Sequence, residues 1–237
     1  MIYPEYLVYP LFLITVLLSI YAQIKVGSAF NKYSRFPTSA GRSAAEVARA
    51  MLSDAEVFDV TVTVTEGHLS DHYDPRSKTL RLSRGVHSSY SAAAIGVAAH
   101  EAGHAIQHAK GYFPLKLRTA IVPAAGFASR FAFIAIALGV LLMAFSGEGV
   151  GYYVLLCGAG LFSVTTLFQL ITLPCEFNAS ARALAYMKSS GLYNGGEISA
   201  AKSVLSAAAL TYVAAALASF VQLLRLLLIL TGNRRRR

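Results

Sequence analysis

Charged residues and cysteines are both scarce in this 237-residue chain. Asp, Glu, Lys and Arg make up 14% of the residues, well below the roughly 25% of an average soluble domain. That low share excludes an ordinary soluble domain and predicts a membrane protein with a modest polar portion. The two cysteines, Cys157 and Cys175, offer no disulfide framework, which fits a reducing compartment.

Acidic residues are fewer than basic ones, and the formal net charge is +9. No basic and aromatic recognition pattern accompanies this excess, so we expect no nucleic-acid partner. The basic residues instead flank apolar segments, and Arg234 to Arg237 end the chain. Basic residues in such places are typical of a surface that faces the cytoplasm or anionic lipid, so membrane lipid is an expected partner.

The sequence contains several long runs of uncharged, mainly apolar residues. The run 7–22 contains no charge, and with its flanks it can cross about 30 Å of hydrocarbon. Three further apolar segments follow, at about 121–145, 152–173 and 207–230, with Arg130 and Arg225 inside two of them. The pattern predicts a mainly α, multi-pass integral membrane protein with about four transmembrane helices.

The first run is interpreted as an uncleaved anchor, with a signal peptide as the alternative. Glu5 precedes the run and Lys25 follows it, whereas a signal peptide begins with basic residues. The positive flank places the C-terminal end of this anchor in the cytoplasm. Four complete spans would then leave the terminal arginines outside, so either the last segment stops short of crossing or the earlier charges override the tail.

The polar portion, residues 25–120, has the patterns of a small α+β unit. Ser43 and Glu46 form a capping box before a helix. Residues 59–65 and 79–83 alternate apolar and polar side chains, which is typical of strands. Turn residues separate these strands, and we expect a short antiparallel sheet. An alanine-rich helix over 91–109 follows.

This helix carries the sequence His100-Glu101-Ala102-Gly103-His104. A spacing of four residues turns a side chain by only about 40° and raises it by about 6 Å along a helix. His100 and His104 therefore project from one face, which suits two nitrogen ligands of one zinc ion. Glu101 stands beside the first ligand, where a carboxylate can take a proton from water.

A zinc ion needs at least one more protein ligand, and Glu176 is the strongest candidate. Two predicted spans separate it from the HExxH helix, and an even number of spans returns the chain to the same side of the membrane. Ser180, one helical turn later, is a candidate to hydrogen-bond a ligand. His108 lies about 12 Å along the helix from His100, which favours a structural or supporting role over that of a ligand.

Three blocks of the sequence resemble the YugP-like family of zinc metallopeptidases of bacterial membranes. They are Gly67 to Lys78, Ala98 to His108 and Leu173 to Ser180. The arrangement is also similar to that of the HtpX membrane proteases. The resemblance implies that His100, His104 and Glu176 bind Zn²⁺ and that Glu101 is the general base.

Two positions depart from the family pattern. The family leads us to expect an aspartate where this chain has Asn178, and an aliphatic residue where it has Cys175. Asn178 can hydrogen-bond to a ligand, but it supplies no charge. Asn178, Ser180 and His108 are therefore the candidate residues that support the metal ligands without binding the metal.

The predicted function is that of a membrane-embedded, gluzincin-like zinc metalloendopeptidase that cleaves membrane or misfolded proteins. Its expected place is the bacterial cytoplasmic membrane, with the active site facing the cytoplasm. The alternative is a non-catalytic scaffold or adaptor with a structural zinc. A second copy of the chain, or another membrane protein, stays open as a partner.

The predicted organisation has five parts. They are an N-terminal anchor (1–24), a zincin-like portion with the HExxH helix (25–120), two transmembrane helices (121–173), a segment with the third ligand (174–206), and an apolar helix with a basic tail (207–237).

Two further hypotheses concern the residues before the HExxH helix. An exposed edge at Thr79, Arg81 and Ser83 is a candidate site for binding an extended substrate by strand addition. The polar side chains of the turn-rich segment predict either a second metal site or, as the favoured alternative, a hydrogen-bonded turn. They are His68, Asp71, His72 and Asp74.

Overall fold

The computed structural model describes residues 4–67, 70–146 and 149–234. In chain order the elements are α1 (Pro4–Tyr33), α2 (Ala44–Asp54), β1 (Thr61–Thr65), β2 (His72–Asp74), β3 (Thr79–Ser83), α3 (Arg84–His87), α4 (Ala92–Ala109), α5 (Phe113–Ser146), α6 (Gly149–Ser189) and α7 (Gly195–Arg234). The chain is therefore mainly helical with a small sheet, as the sequence predicts.

The chain divides into two compact units, which we call the apolar-helix unit and the site unit. The apolar-helix unit comprises Met1–Tyr21, Leu117–Thr172 and Tyr212–Arg237. The site unit comprises Ala22–Lys116 and Leu173–Thr211.

Four helical stretches of the described residues are long and apolar enough to cross a membrane, as the sequence predicts. They are Val8–Tyr33, Phe113–Phe145, Gly149–Ser189 and Gly195–Gly232. Large side chains in the apolar-helix unit are widely exposed, among them Phe133 at 77% and Phe145 at 83%. Exposed rings of this size suit contact with hydrocarbon rather than with water.

Glycines set the packing of α5 against α6 in the apolar-helix unit. A Cβ added at Gly139 would lie 2.5 Å from the Leu155 nitrogen, and one at Gly158 would lie 2.8 Å from the Ile136 nitrogen. Small residues let membrane helices approach closely, because lipid provides no hydrophobic force between them. These glycines therefore hold a backbone contact that larger residues would break.

The two arginines within the apolar segments have different surroundings. Arg130 is exposed on α5. The Arg225 guanidinium lies over the rings of Tyr9 and Phe12, at 5.0 and 5.7 Å from their centroids. Arg234 ends α7, whereas the rest of the basic tail, 235–237, lies outside the described residues.

The sheet of the site unit is mixed, so the prediction of an antiparallel sheet was wrong for one strand pair. The strand order is β1-β3-β2. β1 pairs with β3 in parallel, and β2 pairs with β3 antiparallel. The turn-rich segment contains β2, which lies at the opposite edge of the sheet from β1. β3 follows and lies between β1 and β2. Three residues are too few for an alternation pattern, so β2 gave no signal.

α4 lies in the core of the site unit. Ser91 caps its N-terminus, accepting a hydrogen bond from the Ala94 nitrogen, and the chain leaves the helix through Gly111 at φ +65°. Alanines make α4 narrow and allow burial on several sides, against Val47, Leu80 and Leu82 among others. The predicted helix over 91–109 is confirmed to within one residue.

α6 extends beyond the apolar segment 152–173. It continues through Pro174 to Ser189, so the residues after the apolar span stay helical. A proline inside a helix removes one backbone hydrogen bond and bends the helix, but neighbouring packing can hold the helix together. Because of this continuation, Glu176, Asn178 and Ser180 lie on one regular helix.

The close contact of α5 with α6 predicts opposite effects for two alanine substitutions in α5. Gly139→Ala should lower the free energy of unfolding in detergent by about 1–3 kcal/mol, because its Cβ overlaps the Leu155 backbone. Gly126→Ala meets open space and should be neutral or stabilising by up to about 1 kcal/mol, because alanine favours helix. Thermal unfolding measures both, and equal shifts for the two variants would contradict this account of the packing.

Candidate metal centre

Two histidines on α4 form the first half of the site. The rings of His100 and His104 lie edge to face, with centroids 4.8 Å apart. His104 is buried and His100 is half-buried. Their Nε2 atoms both point toward Glu176, as the four-residue spacing predicts for one helix face.

α6 contributes the third side chain. The Glu176 Oε2 atom lies 3.3 Å from His100 Nε2 and 3.6 Å from His104 Nε2. Glu176 itself is 2% exposed. Within the described residues, this is the one group of three His, Cys, Asp or Glu side chains that converges, with ligand atoms within 4.8 Å of one another.

Gly103 makes this convergence possible. A Cβ added at Gly103 would lie 2.8 Å from the Ala179 carbonyl oxygen and 3.2 Å from the Ala179 Cα. α4 and α6 therefore touch backbone to backbone between the histidine pair and the turn that carries Glu176. Any larger residue at position 103 would force the two helices apart.

The distances fit a shared tetrahedral ion. Zn–N and Zn–O bonds of about 2.0–2.1 Å place two tetrahedral ligand atoms roughly 3.3–3.4 Å apart. The two observed Nε2 to Oε2 separations, 3.3 and 3.6 Å, lie close to that value. A direct bond between a charged imidazole and a carboxylate is shorter, about 2.7–2.9 Å. Two nitrogens and one carboxylate oxygen are also a donor set that zinc uses at catalytic sites.

The outer ring nitrogen of each histidine has a protein partner. His100 Nδ1 lies 3.0 Å from Ser180 Oγ, so the structure places Ser180 where the sequence analysis expects it. His104 Nδ1 lies 3.0 Å from Gln107 Oε1, a contact that the sequence analysis missed. The signal for it was present, since Gln107 follows His104 by three residues and thus shares its helix face.

Glu101 is half-buried beside the histidine pair. Its Oε2 accepts a hydrogen bond of 3.0 Å from the backbone nitrogen of Tyr73 in β2. Burial raises the pKa of the Glu101 carboxyl above its usual value. A raised pKa suits a general base, which works best when its pKa lies near the operating pH.

His108 is not part of the converging group. Its Nδ1 lies 2.9 Å from the Tyr73 hydroxyl, at a cavity of about 280 Å³ that is also lined by Asp59 and Lys78. Burial raises the pKa of the Tyr73 hydroxyl to about 12, so this hydroxyl stays protonated and can donate to His108. His108 thus supports the strand whose backbone holds Glu101.

Asn178 reaches the histidine pair through Gln107. Its Oδ1 accepts hydrogen bonds from Gln107 Nε2 at 3.0 Å and from Arg182 Nε at 2.8 Å. The side chain of Cys175 is fully buried, and the Cys175 carbonyl accepts the other Gln107 hydrogen bond at 2.8 Å.

The carboxylates of the turn-rich segment are hydrogen-bonded, Asp74 within the segment and Asp71 to β3. Asp71 accepts from the backbone and hydroxyl of Ser83 at 2.7 and 3.1 Å. Asp74 accepts from Ser77 and from the backbone of Arg76 at 2.7 and 3.0 Å. This agrees with the favoured hydrogen-bonded turn. His68, the remaining member of the hypothetical second metal site, lies outside the described residues, and His72 is exposed.

The predicted substrate edge at Thr79, Arg81 and Ser83 was wrong. These residues belong to β3, the central strand, which pairs with β1 along its whole length and with β2 at Thr79–Arg81. The Ser83 nitrogen donates to Asp71 instead. The sheet edge nearest α4 is β2, since the Tyr73 nitrogen points away from β3 to Glu101. Sequence alone could not show this, because the order of strands depends on how the loop between β1 and β2 crosses the sheet.

The comparisons with known proteins concern nearly the whole chain. A family described as "Putative neutral zinc metallopeptidase" matches residues 8–231. The chain is 46% identical over 217 residues to "Putative membrane protease YugP" of Bacillus subtilis (strain 168), covering 92% of this chain and 93% of that protein. No solved structure matches the chain.

The contact between α4 and α6 predicts that Gly103→Ala weakens metal binding. The added Cβ displaces the turn that carries Glu176, and zinc affinity should fall by about ten-fold or more, the scale of losses when ligand positioning is disturbed. Chelator competition on the purified protein measures the affinity. Gly85→Ala, whose Cβ meets open space, is the matched control. Unchanged zinc affinity in Gly103→Ala would contradict the proposed dependence on this contact.

Proposed function

The chain belongs to the putative neutral zinc metallopeptidase family, and from this membership and the site geometry we propose that it is a membrane-embedded zinc metalloendopeptidase. The resemblance predicted from three sequence blocks is confirmed. The finer assignment is that of a gluzincin-like enzyme, with His100, His104 and Glu176 as ligands and Glu101 as the general base.

One observation carries the proposal. Two imidazole nitrogens and a carboxylate oxygen converge within 4.8 Å, and the carboxylate of Glu101 lies next to them in the chain. A structural zinc site is normally closed by four protein ligands, whereas a catalytic site has three and leaves a position for water. Three converging ligand atoms with an adjacent carboxylate match the catalytic arrangement.

The residues around the site have distinct roles in peptide hydrolysis. A zinc ion held by the three ligands would polarise the scissile carbonyl and acidify water. Glu101 takes a proton from the attacking water and delivers it to the leaving amine. The Tyr73 backbone N–H orients the Glu101 carboxylate, and Ser180 and Gln107 orient the two imidazole rings.

The proposed substrates are membrane or misfolded proteins, and the proposed location is the cytoplasmic face of a bacterial cytoplasmic membrane. Lys25, Lys32 and Arg35 follow the first apolar run, which supports a cytoplasmic placement for the site unit. A membrane protein of this kind also contacts lipid.

The competing proposal is a non-catalytic scaffold with a structural zinc. Such a protein needs the metal ligands but not Glu101, because a structural site requires no base. The two functions therefore differ in what substitution of Glu101 should do.

Glu101→Gln should abolish peptide cleavage and keep zinc, because the amide cannot accept the proton while the three ligands stay in place. Cleavage of a casein-like substrate in detergent and zinc content measure the two effects. Glu66→Gln, which alters an exposed carboxylate paired with Arg84, should keep full activity. Cleavage by Glu101→Gln at the rate of the unmodified protein would overturn the peptidase proposal. Zinc in both proteins with cleavage in neither would favour the scaffold.

Glu176→Gln should remove zinc without unfolding the protein, because an amide is a poor zinc ligand of almost the same shape. Glu197→Gln is a matched change of a second carboxylate that is also 2% exposed. Glu197 accepts hydrogen bonds from the backbone of Ser39 and Asn194 at 2.6 and 2.8 Å, so its substitution should lower thermal stability and keep zinc. Zinc retained by Glu176→Gln at unchanged affinity would refute the ligand assignment.

A further inference from the structure

Gln107 is a fully buried amide one turn from the second histidine ligand. Its exposure is 0%, and burying an amide is costly unless its hydrogen bonds are made. All of its polar atoms have partners. Nε2 donates to the Cys175 carbonyl at 2.8 Å and to Asn178 Oδ1 at 3.0 Å, while Oε1 lies 3.0 Å from His104 Nδ1.

The direction of the Gln107 amide follows from its neighbours. The Cys175 backbone carbonyl can only accept a hydrogen bond. The Arg182 guanidinium can only donate, so the Asn178 atom 2.8 Å from Arg182 Nε must be its carbonyl oxygen. Both neighbours on one side of Gln107 are therefore acceptors. The amide must present NH₂ to them and its oxygen to His104.

This direction determines the tautomer of His104. Because Gln107 Oε1 can only accept, the hydrogen of a neutral His104 ring must lie on Nδ1. Nε2 then carries the lone pair, and this is the atom that lies 3.6 Å from Glu176 Oε2. Ser180 cannot impose the same choice on His100, since a hydroxyl can donate or accept.

We propose that Gln107 is a positioning residue that holds His104 in its Nδ1–H tautomer, with Arg182 and Asn178 fixing the direction of the Gln107 amide. The inference rests on the proposed metal centre for its purpose, but the tautomer itself is a property of the metal-free chain. The Cys175 carbonyl and Arg182 fix the direction independently, because a carbonyl has no donor and a guanidinium keeps its donors at every accessible pH.

Long-range ¹H–¹⁵N NMR of ¹⁵N-histidine-labelled, metal-free protein in detergent tests the tautomer. Recorded at a pH high enough to keep the ring neutral, the unmodified chain should show His104 as the Nδ1–H form, assigned by the signal lost in His104→Gln. In Gln107→Leu, which has similar volume and no acceptor, the Nε2–H form should appear. Zinc affinity, measured by chelator competition, should fall about 10- to 100-fold.

Three further variants separate positioning from simple packing. Asn178→Asp keeps an acceptor oxygen for Gln107 and Arg182, so the tautomer and the zinc affinity, within about three-fold, should be retained. Asn178→Leu leaves Gln107 held by the Cys175 carbonyl alone and should give a smaller affinity loss than Gln107→Leu. Gln23→Leu, which removes an exposed amide of α1, should leave both readouts unchanged.

A Nδ1–H tautomer that persists in Gln107→Leu, or zinc affinity within three-fold of the unmodified chain, would overturn the inference. So would an Nε2–H form in the unmodified chain. These readouts need no peptide cleavage. If the chain binds zinc but cleaves no peptide, the peptidase proposal is refuted. The NMR and zinc-affinity measurements would still test the role of Gln107.

Discussion

The backbone contact between α4 and α6 is the constraint on which the rest of the site depends. Gly103 lets the two helices meet at Ala179, and every side chain of the site comes from one or the other of them or is held against them. His100, His104 and Gln107 come from α4, and Glu176 comes from α6. Alanines with no exposed surface, such as Ala102 and Ala183, continue the close packing on either side.

The site is a polar group inside an otherwise aliphatic and alanine-rich core. His104, Gln107 and Glu176 are all at most 8% exposed, and buried polar groups destabilise a fold unless they are paired. Hydrogen bonds satisfy Gln107, and a bound cation would interact favourably with the Glu176 carboxylate and the two ring nitrogens. Metal binding and stability should therefore be coupled in this unit, since a ligand that binds the folded state stabilises it.

The predictions from sequence were correct for features that depend on residues close together in the chain, and they failed for features that depend on distant contacts. The shared face of His100 and His104 and the capping box at the start of α2 depend on a few neighbouring residues, and both were predicted. The apolar spans depend on composition and length, and they too were predicted. β2 and the parallel pairing of β1 with β3 were missed, because they depend on where a loop crosses the sheet. α6 extends beyond its apolar segment to Ser189, because packing holds the helix together through Pro174.

By itself, the sequence determined the HExxH face, the number of apolar helices and the order of the three blocks shared with the family, because helix periodicity and hydropathy are local properties. The tertiary structure decided that Glu176 lies 3.3 and 3.6 Å from the two histidines, that β2 holds Glu101, and that Cys175 and Asn178 of α6 bind the Gln107 amide. These contacts join residues from different elements, as far apart as 76 and 72 positions (176 − 100 and 176 − 104) for Glu176 and the two histidines. No local pattern specifies such distances, because they are set by how closely two backbones can approach.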